Sequence, residues 1–159
     1  MHGADHERNQ RAGTENVLEI VGLGKACEIA RRDLKKNMDH FKAMRNRLYV
    51  GITAGIKDVK LNGHPEQRLP NTLNLSFRGI EANTLLAELQ DHVAASAGAA
   101  CHSGDINISA VLTAMKVPVE YAMGTIRLST GRMTTEAEVD NAISCIADAV
   151  TRLRGHDHS

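Results

Sequence analysis

The chain of 159 residues balances 19 lysines and arginines against 19 aspartates and glutamates, with 42% hydrophobic and 24% charged residues. That composition supports one folded domain with a real core and excludes intrinsic disorder, which needs low hydrophobicity or a charge excess. Zero net charge, two Phe, two Tyr and no Trp exclude a basic nucleic-acid face and a base-stacking platform.

From Glu15 to about Gly51 the apolar residues follow a helical period. Ile20, Cys27, Leu34, Phe41 and Leu48 recur every seven residues, and Arg32, Asp33, Lys35, Lys36 and Asp39 fill the other faces. Thr14 after Gly13 is the expected N-cap. Val59–Leu61 reads as a short strand, followed by the turn signals Asn62-Gly63 and His64-Pro65. Leu73, Leu75 and Phe77 alternate with polar residues, the mark of a half-buried strand. Glu81 to Asp91 reads as a helix with Leu85, Leu86 and Leu89 inward, and Val93–Ala97 as a strand entering a stretch of small residues. Ile108–Met115 reads as a helix and Thr125–Ser129 as a strand. Thr135-Glu136-Ala137-Glu138 is a capping box opening a last helix, with Val139, Ile143, Ile146, Val150 and Leu153 on one face. The expected fold class is therefore α/β: a long helix, then a small, mostly antiparallel sheet covered by helices.

The three cysteines, Cys27, Cys101 and Cys145, lie too far apart for a disulfide framework or a cysteine-rich zinc site. Free thiols imply a reducing compartment. The polar start, MHGADHERNQ, has no apolar signal region, and no apolar run approaches the roughly 20 residues of a membrane span. A soluble, cytoplasmic protein without membrane association is expected. Cys27 and Cys145 fall beside apolar helical positions and read as packing residues.

Cys101 differs: it sits in Gly98-Ala99-Ala100-Cys101-His102-Ser103-Gly104-Asp105, small residues before it and turn-formers after it. That setting suits an exposed thiol on a mobile loop, although free cysteines are also among the most buried residues. Arg127 alternates with Ile126 and Leu128 on its strand. It is either a surface arginine or one fixed to grip a carboxylate through two hydrogen bonds. The segment from His6 to Thr14, with arginines, a glycine and a hydroxyl before a helix, has the ingredients of an anion site. The eight histidines form no metal signature; His40, His64 and His92 read as surface or capping residues.

The order of these motifs carries a resemblance. Arg11-Ala12-Gly13-Thr14-Glu15-Asn16 with Ile20-Val21-Gly22-Leu23-Gly24-Lys25-Ala26 resembles the entry into the long connecting helix of cysteine desulfurases and selenocysteine lyases, class V aminotransferase-type pyridoxal-phosphate enzymes. Pro70-Asn71-Thr72-Leu73-Asn74, Gly98-Ala99-Ala100-Cys101-His102-Ser103, Gly124-Thr125-Ile126-Arg127-Leu128-Ser129 and Gly131-Arg132 with Thr134-Thr135 are similar to the later motifs of that family. The resemblance spans essentially the whole chain.

It implies the C-terminal small domain of a fold-type I enzyme: 1–14 a remnant of the large cofactor domain, 15–51 the connecting helix, 52–155 the small domain and 156–159 a polar tail. It also implies a mechanism in which pyridoxal 5'-phosphate acts as electron sink. Cys101 takes the substrate sulfur as a persulfide, Arg127 binds the substrate carboxylate, and Thr14 reaches the cofactor phosphate of the partner subunit in a homodimer. Cysteine or selenocysteine is the implied substrate, and a sulfur- or selenium-acceptor protein, as in iron-sulfur cluster assembly, the implied partner. The chain departs from the family in lacking the Schiff-base lysine region, and in Ala4-Asp5 where the family has a glycine-rich run. The implied piece is inactive alone. The alternatives are a selenocysteine lyase, or a non-catalytic module that binds a desulfurase half or a sulfur acceptor.

Overall fold

The computed structural model describes residues 3, 6–98, 100–102 and 105–156, and the side chains of these apart from 100–102, 105–107 and 156. The chain forms two compact units, Met1–Lys36 and Asn37–Ser159. Helix α1, Val17–Gly55, runs through both.

In the first unit, His6 and Arg11 pair as an isolated bridge. Asn16 caps α1: its Oδ1 accepts from the Glu19 N–H at 3.3 Å, and its carbonyl accepts from Ile20. The expected cap was Thr14. Asn16 displaces it because an Asx side chain bonds the third N–H beyond it, and here that geometry is met two residues later. Residues 16–32 are all exposed, including Leu18 at 84% and Leu23 at 66%. Cys27, expected as a packing residue, is exposed on α1 with the rest of this stretch. The seven-residue line is buried only at its far end, at Leu48.

In the second unit α1 passes Gly51 without stopping. A Cβ on Gly51 would lie 2.3 Å from Ile143 Cδ1, so this glycine lets another helix come close and does not end α1. The strands are β1 (Val59–Leu61), β2 (Thr72–Phe77), β3 (Ser96–Ala97), β4 (Ala100–His102), β5 (Asp105–Asn107) and β6 (Thr125–Ser129). The helices after α1 are α2 (Ala82–Leu89), α3 (Ala110–Ala114), α4 (Val119–Ala122) and α5 (Glu136–His156). A four-stranded sheet has the order β1-β2-β6-β3 and β4-β5 form a separate two-stranded ribbon; every pairing is antiparallel.

Alternation divides the sheet into two faces. Leu73, Leu75, Phe77, Ile126 and Leu128 join Met44, Leu48 and Ile52 of α1, Leu85 and Leu89 of α2, and Val139, Ile146 and Val150 of α5 in one core. The opposite face carries Thr72, Asn74 and Ser76 across from Ser129, Arg127 and Thr125. A smaller apolar cluster belongs to α3 and α4, with Leu112, Val117 and Ala122 at its centre. Arg45, 5% exposed, anchors the approach to β2 by donating from Nη1 to the Leu69 carbonyl at 3.0 Å.

The capping box at α5 is complete: Thr135 Oγ1 accepts from the Glu138 N–H at 3.2 Å, and Glu138 Oε2 accepts from the Thr135 N–H at 2.8 Å. The Thr135 N–H first, and then the Thr135 hydroxyl, which donates to Oε2 at 2.9 Å, hold the Glu138 carboxyl below its ordinary value. The fork from Arg47, Nε and Nη2 to Asp140 at 2.7 and 2.8 Å, lowers Asp140 likewise. Both carboxyls are depressed in the folded state, so their stabilisation is full above the unfolded values and lost as pH falls through the folded ones. Thr135→Ala is expected to cost ~1 kcal/mol. Glu138→Gln is expected to flatten the acid side of the stability profile, measured as urea midpoints between neutral and acid pH.

Candidate functional site

The polar face of the sheet floors a cleft of about 430 Å³ inside the second unit. Asn62, Thr72, Asn74 and Arg127 line it from the sheet side, and Val111, Leu112 and Met115 from α3 and the residue after it. Arg127 occupies β6, flanked by β2 and β3, directly opposite Asn74 on one side and Ser96 on the other. Ile126 and Leu128 are buried while Arg127 is exposed, as the alternation predicts. Among the described residues its guanidinium has no hydrogen-bond or ion-pair partner, so its donor fork is open to an anion.

Cys101 lies in β4, its backbone paired with Ile106 of β5. The expectation of a loop is corrected: the backbone here is a two-stranded ribbon, with Ala100, Cys101 and His102 paired to Asn107, Ile106 and Asp105. The cysteine side chain lies outside the described residues. Both stems of the ribbon nevertheless enter the cleft: Ala97 and Gly98 line it on the way in, and Ser109 lines it on the way out. The Gly98 N–H donates to the Thr125 carbonyl at 2.6 Å, stitching the first stem to β6. Two residues lie between Gly98 and Cys101, and the three Cα–Cα steps keep the two Cα atoms within about 11 Å. Ser109 caps α3, its Oγ accepting from the Val111 N–H at 3.3 Å.

Thr14 belongs to the first unit. It is exposed, and its hydroxyl has no partner among the described residues, leaving it free to donate to a phosphate oxygen. Arg11 holds the Gly13 and Thr14 carbonyls through Nη1, both at 2.8 Å, and lies 3.7 Å from Glu15. The His6–Thr14 segment thus offers a phosphate one hydroxyl, with its nearest arginine already engaged. Among the histidines, His64 Nδ1 accepts from the N–H groups of Glu66 and Gln67, and His40 Nε2 lies 2.9 Å from the Thr134 carbonyl. No group of three or more His, Cys, Asp or Glu side chains among the described residues could hold a metal ion.

Sequence reasoning missed the polar network beside Arg127. Asn62 Nδ2 donates to Asn74 Oδ1 and Ser76 Oγ, each at 2.7 Å, and Ser76 Oγ lies 2.6 Å from Thr125 Oγ1. Ser76 and Thr125 are fully buried. The Asn62-Gly63 pair is a turn signal that hides this second role. Arg68 Nη2 supports Asn62 from behind, reaching its carbonyl at 3.3 Å. Burial holds the Arg68 guanidinium below its ordinary value, and the charge of Arg45 pushes the same way.

Known proteins resemble this chain over nearly all of its length. It is 46% identical over 154 residues to cysteine desulfurase IscS of Vibrio campbellii, and 44% identical over 153 residues to cysteine desulfurase 2 of Trichormus variabilis. It covers only 38% of either relative, against 97% and 96% of its own length. Among solved structures, a NifS-like protein superposes with a TM-score of 0.79 at 33% identity, over 96% of this chain and 38% of that one. A second NifS-like protein, from Rickettsia africae, superposes at 0.78 with 26% identity, over 95% and 39%. Both superpositions take in nearly the whole of this chain. The model of the aminotransferase class-V family matches residues 2–142, and the chain belongs to that family.

Proposed function

We propose that the chain is the sulfur-accepting, carboxylate-binding portion of a pyridoxal-phosphate-dependent cysteine desulfurase, acting with a polypeptide portion that carries the Schiff-base lysine. The observation that carries this reading is the cleft: Arg127, with an open donor fork, lines it together with both stems of the ribbon that bears Cys101. The exposed apolar residues of α1, Val17, Ile20, Val21 and Leu23, are where that other portion seats. Thr14 donates its hydroxyl to the cofactor phosphate, across the subunit boundary of a homodimer. When bound, the cofactor supplies an electron sink for the substrate's carbon skeleton.

Arg127 fixes the substrate cysteine by its carboxylate through two parallel N–H···O bonds. The Cys101 thiolate attacks the substrate sulfur: an S–S bond forms as the C–S bond breaks, and the thiol's proton ends on the substrate carbon, giving alanine. The sulfur stays on Cys101 as a persulfide, which an acceptor thiol removes. A ribbon tethered at both ends confines the thiol to the neighbourhood of the cleft, which raises its effective concentration there.

The test mixes the purified chain with the N-terminal portion of the Vibrio campbellii relative and reads alanine release from L-cysteine. The chain alone is expected to release none. The mixture is expected to release alanine and to carry one added sulfur atom on the Cys101 peptide by mass spectrometry. Release by the chain alone, or an active mixture whose added sulfur is never on Cys101, overturns the reading.

A further inference from the structure

Asn74 stands directly opposite Arg127 across the β2–β6 pair, and both line the cleft. Side chains so placed have Cβ atoms about 4.5–5.5 Å apart. The Asn74 carboxamide has a fixed sense: its Oδ1 accepts from Asn62 Nδ2 at 2.7 Å, so its own Nδ2 group turns away from Asn62 and finds no acceptor among the described residues. Asn62 is itself immobilised. It is 4% exposed, its N–H donates to the Asn74 carbonyl at 3.0 Å, its carbonyl accepts from Arg68, and its Nδ2 also holds Ser76 Oγ. The Asn62 Oδ1 is buried without any hydrogen-bond partner among the described residues. A buried acceptor left unpaired is a cost that folds carry where an orientation is needed. Here the orientation it accompanies is the one that presents the Asn74 NH2 group.

We propose that Asn74 is a second carboxylate-binding residue, its Nδ2 group donating beside the Arg127 guanidinium, and that Asn62 is the positioning residue that holds the amide in this sense. The proposal rests on the reading of Arg127 as the carboxylate anchor. Three N–H donors then converge on two carboxylate oxygens, and the corresponding carboxamide is rejected because its NH2 group meets donors.

The test uses the full chain labelled with ¹⁵N and two probes, L-alanine and L-alaninamide, titrated while the side-chain N–H signals are followed. L-alanine is expected to move the Asn74 Nδ2 and Arg127 Nε signals together, and L-alaninamide neither. Asn74→Ala is expected to weaken L-alanine binding about tenfold, the loss of one hydrogen bond to a charged group. In Asn62→Ala the freed Asn74 amide can turn its oxygen to the ligand, so the preference for L-alanine over L-alaninamide is expected to fall severalfold, leaving the part that Arg127 supplies. A purely structural role for Asn62 would leave that preference intact. If L-alanine moves the Arg127 signal but not that of Asn74, or Asn74→Ala keeps affinity and preference, this proposal fails and the anchor stands. If Arg127→Ala binds as tightly as the native chain, or the native chain shows no saturable shift, the anchor fails and the proposal with it.

Discussion

Gly124→Ala is expected to destabilise the Asn37–Ser159 unit by at least about 3 kcal/mol, the upper range for overpacking. A Cβ at this position would lie 2.1 Å from the Phe77 carbonyl oxygen and 2.8 Å from that of Ile80. Both obstacles are backbone, so no side chain can swing aside. Nor can the backbone retreat: Phe77 N–H donates to the Gly124 carbonyl at 3.0 Å, Ala82 N–H to Met123 at 2.9 Å and Gly79 N–H to Glu120 at 3.3 Å. These bonds stitch the turn after β2 to the end of α4, and Phe77 beside them is fully buried in the core. Against a total of about 5–15 kcal/mol for an ordinary domain, such a loss removes much of the folded population. Urea unfolding followed by far-ultraviolet circular dichroism checks it, with Gly131→Ala as the comparison. At Gly131 the nearest obstacle is Thr134 Oγ1 at 3.9 Å, and a change within about 0.5 kcal/mol is expected. Equal midpoints for the two variants would contradict the close-approach argument.

Gly124 also marks where sequence legibility ends. The Gly124–Ser129 motif and the alternation around Arg127 were readable because a strand with one apolar face writes that face into every second residue. The α5 start was readable because a capping box is a local arrangement, complete within four residues. The β4–β5 ribbon was not, since Gly98–Asp105 is short, rich in small residues and without an apolar face. The burial of Ser76 and Thr125 was hidden for a related reason: alternation marks them as solvent-facing, and only the tertiary fold places them where hydroxyls satisfy one another at 2.6 Å. The exposure of Cys27 reverses the packing expectation, because a periodic stripe records what a helix can bury and not where its partner lies. In the site itself, Arg127 and Cys101 were legible as residue types in motifs. That both stems of the ribbon reach the cleft lined by Arg127 depends on the register of β3 against β6, which pairs Ser96 with Arg127.

In the reassembled enzyme, Cys101→Ser is expected to lower alanine and sulfide release on the order of a thousandfold or more, the scale on which loss of a nucleophile is felt. The two side chains differ by one atom, so binding and folding change little while the chemistry changes entirely. A thiol with an ordinary pKa of about 8.5 is a few per cent thiolate at neutral pH and intrinsically nucleophilic. A serine hydroxyl stays protonated there and cannot accept sulfur as a persulfide. Cys27→Ser and Cys145→Ser serve as controls: one thiol is exposed on α1, and the other is half-buried with its Sγ 4.0 Å from Asn141 Oδ1. Neither lines the cleft, and both variants are expected to retain native turnover. Loss of sulfur from position 101 with its appearance on Cys27 would instead indicate unspecific sulfuration of an accessible thiol. The decisive comparison pairs two measurements on Cys101→Ser: sulfur release is expected to collapse, while L-alanine still shifts the Arg127 Nε signal with native affinity. Chemistry lost with binding kept assigns the thiol to the reaction and the guanidinium to the grip; joint loss would show that position 101 supports the cleft and does not carry its sulfur.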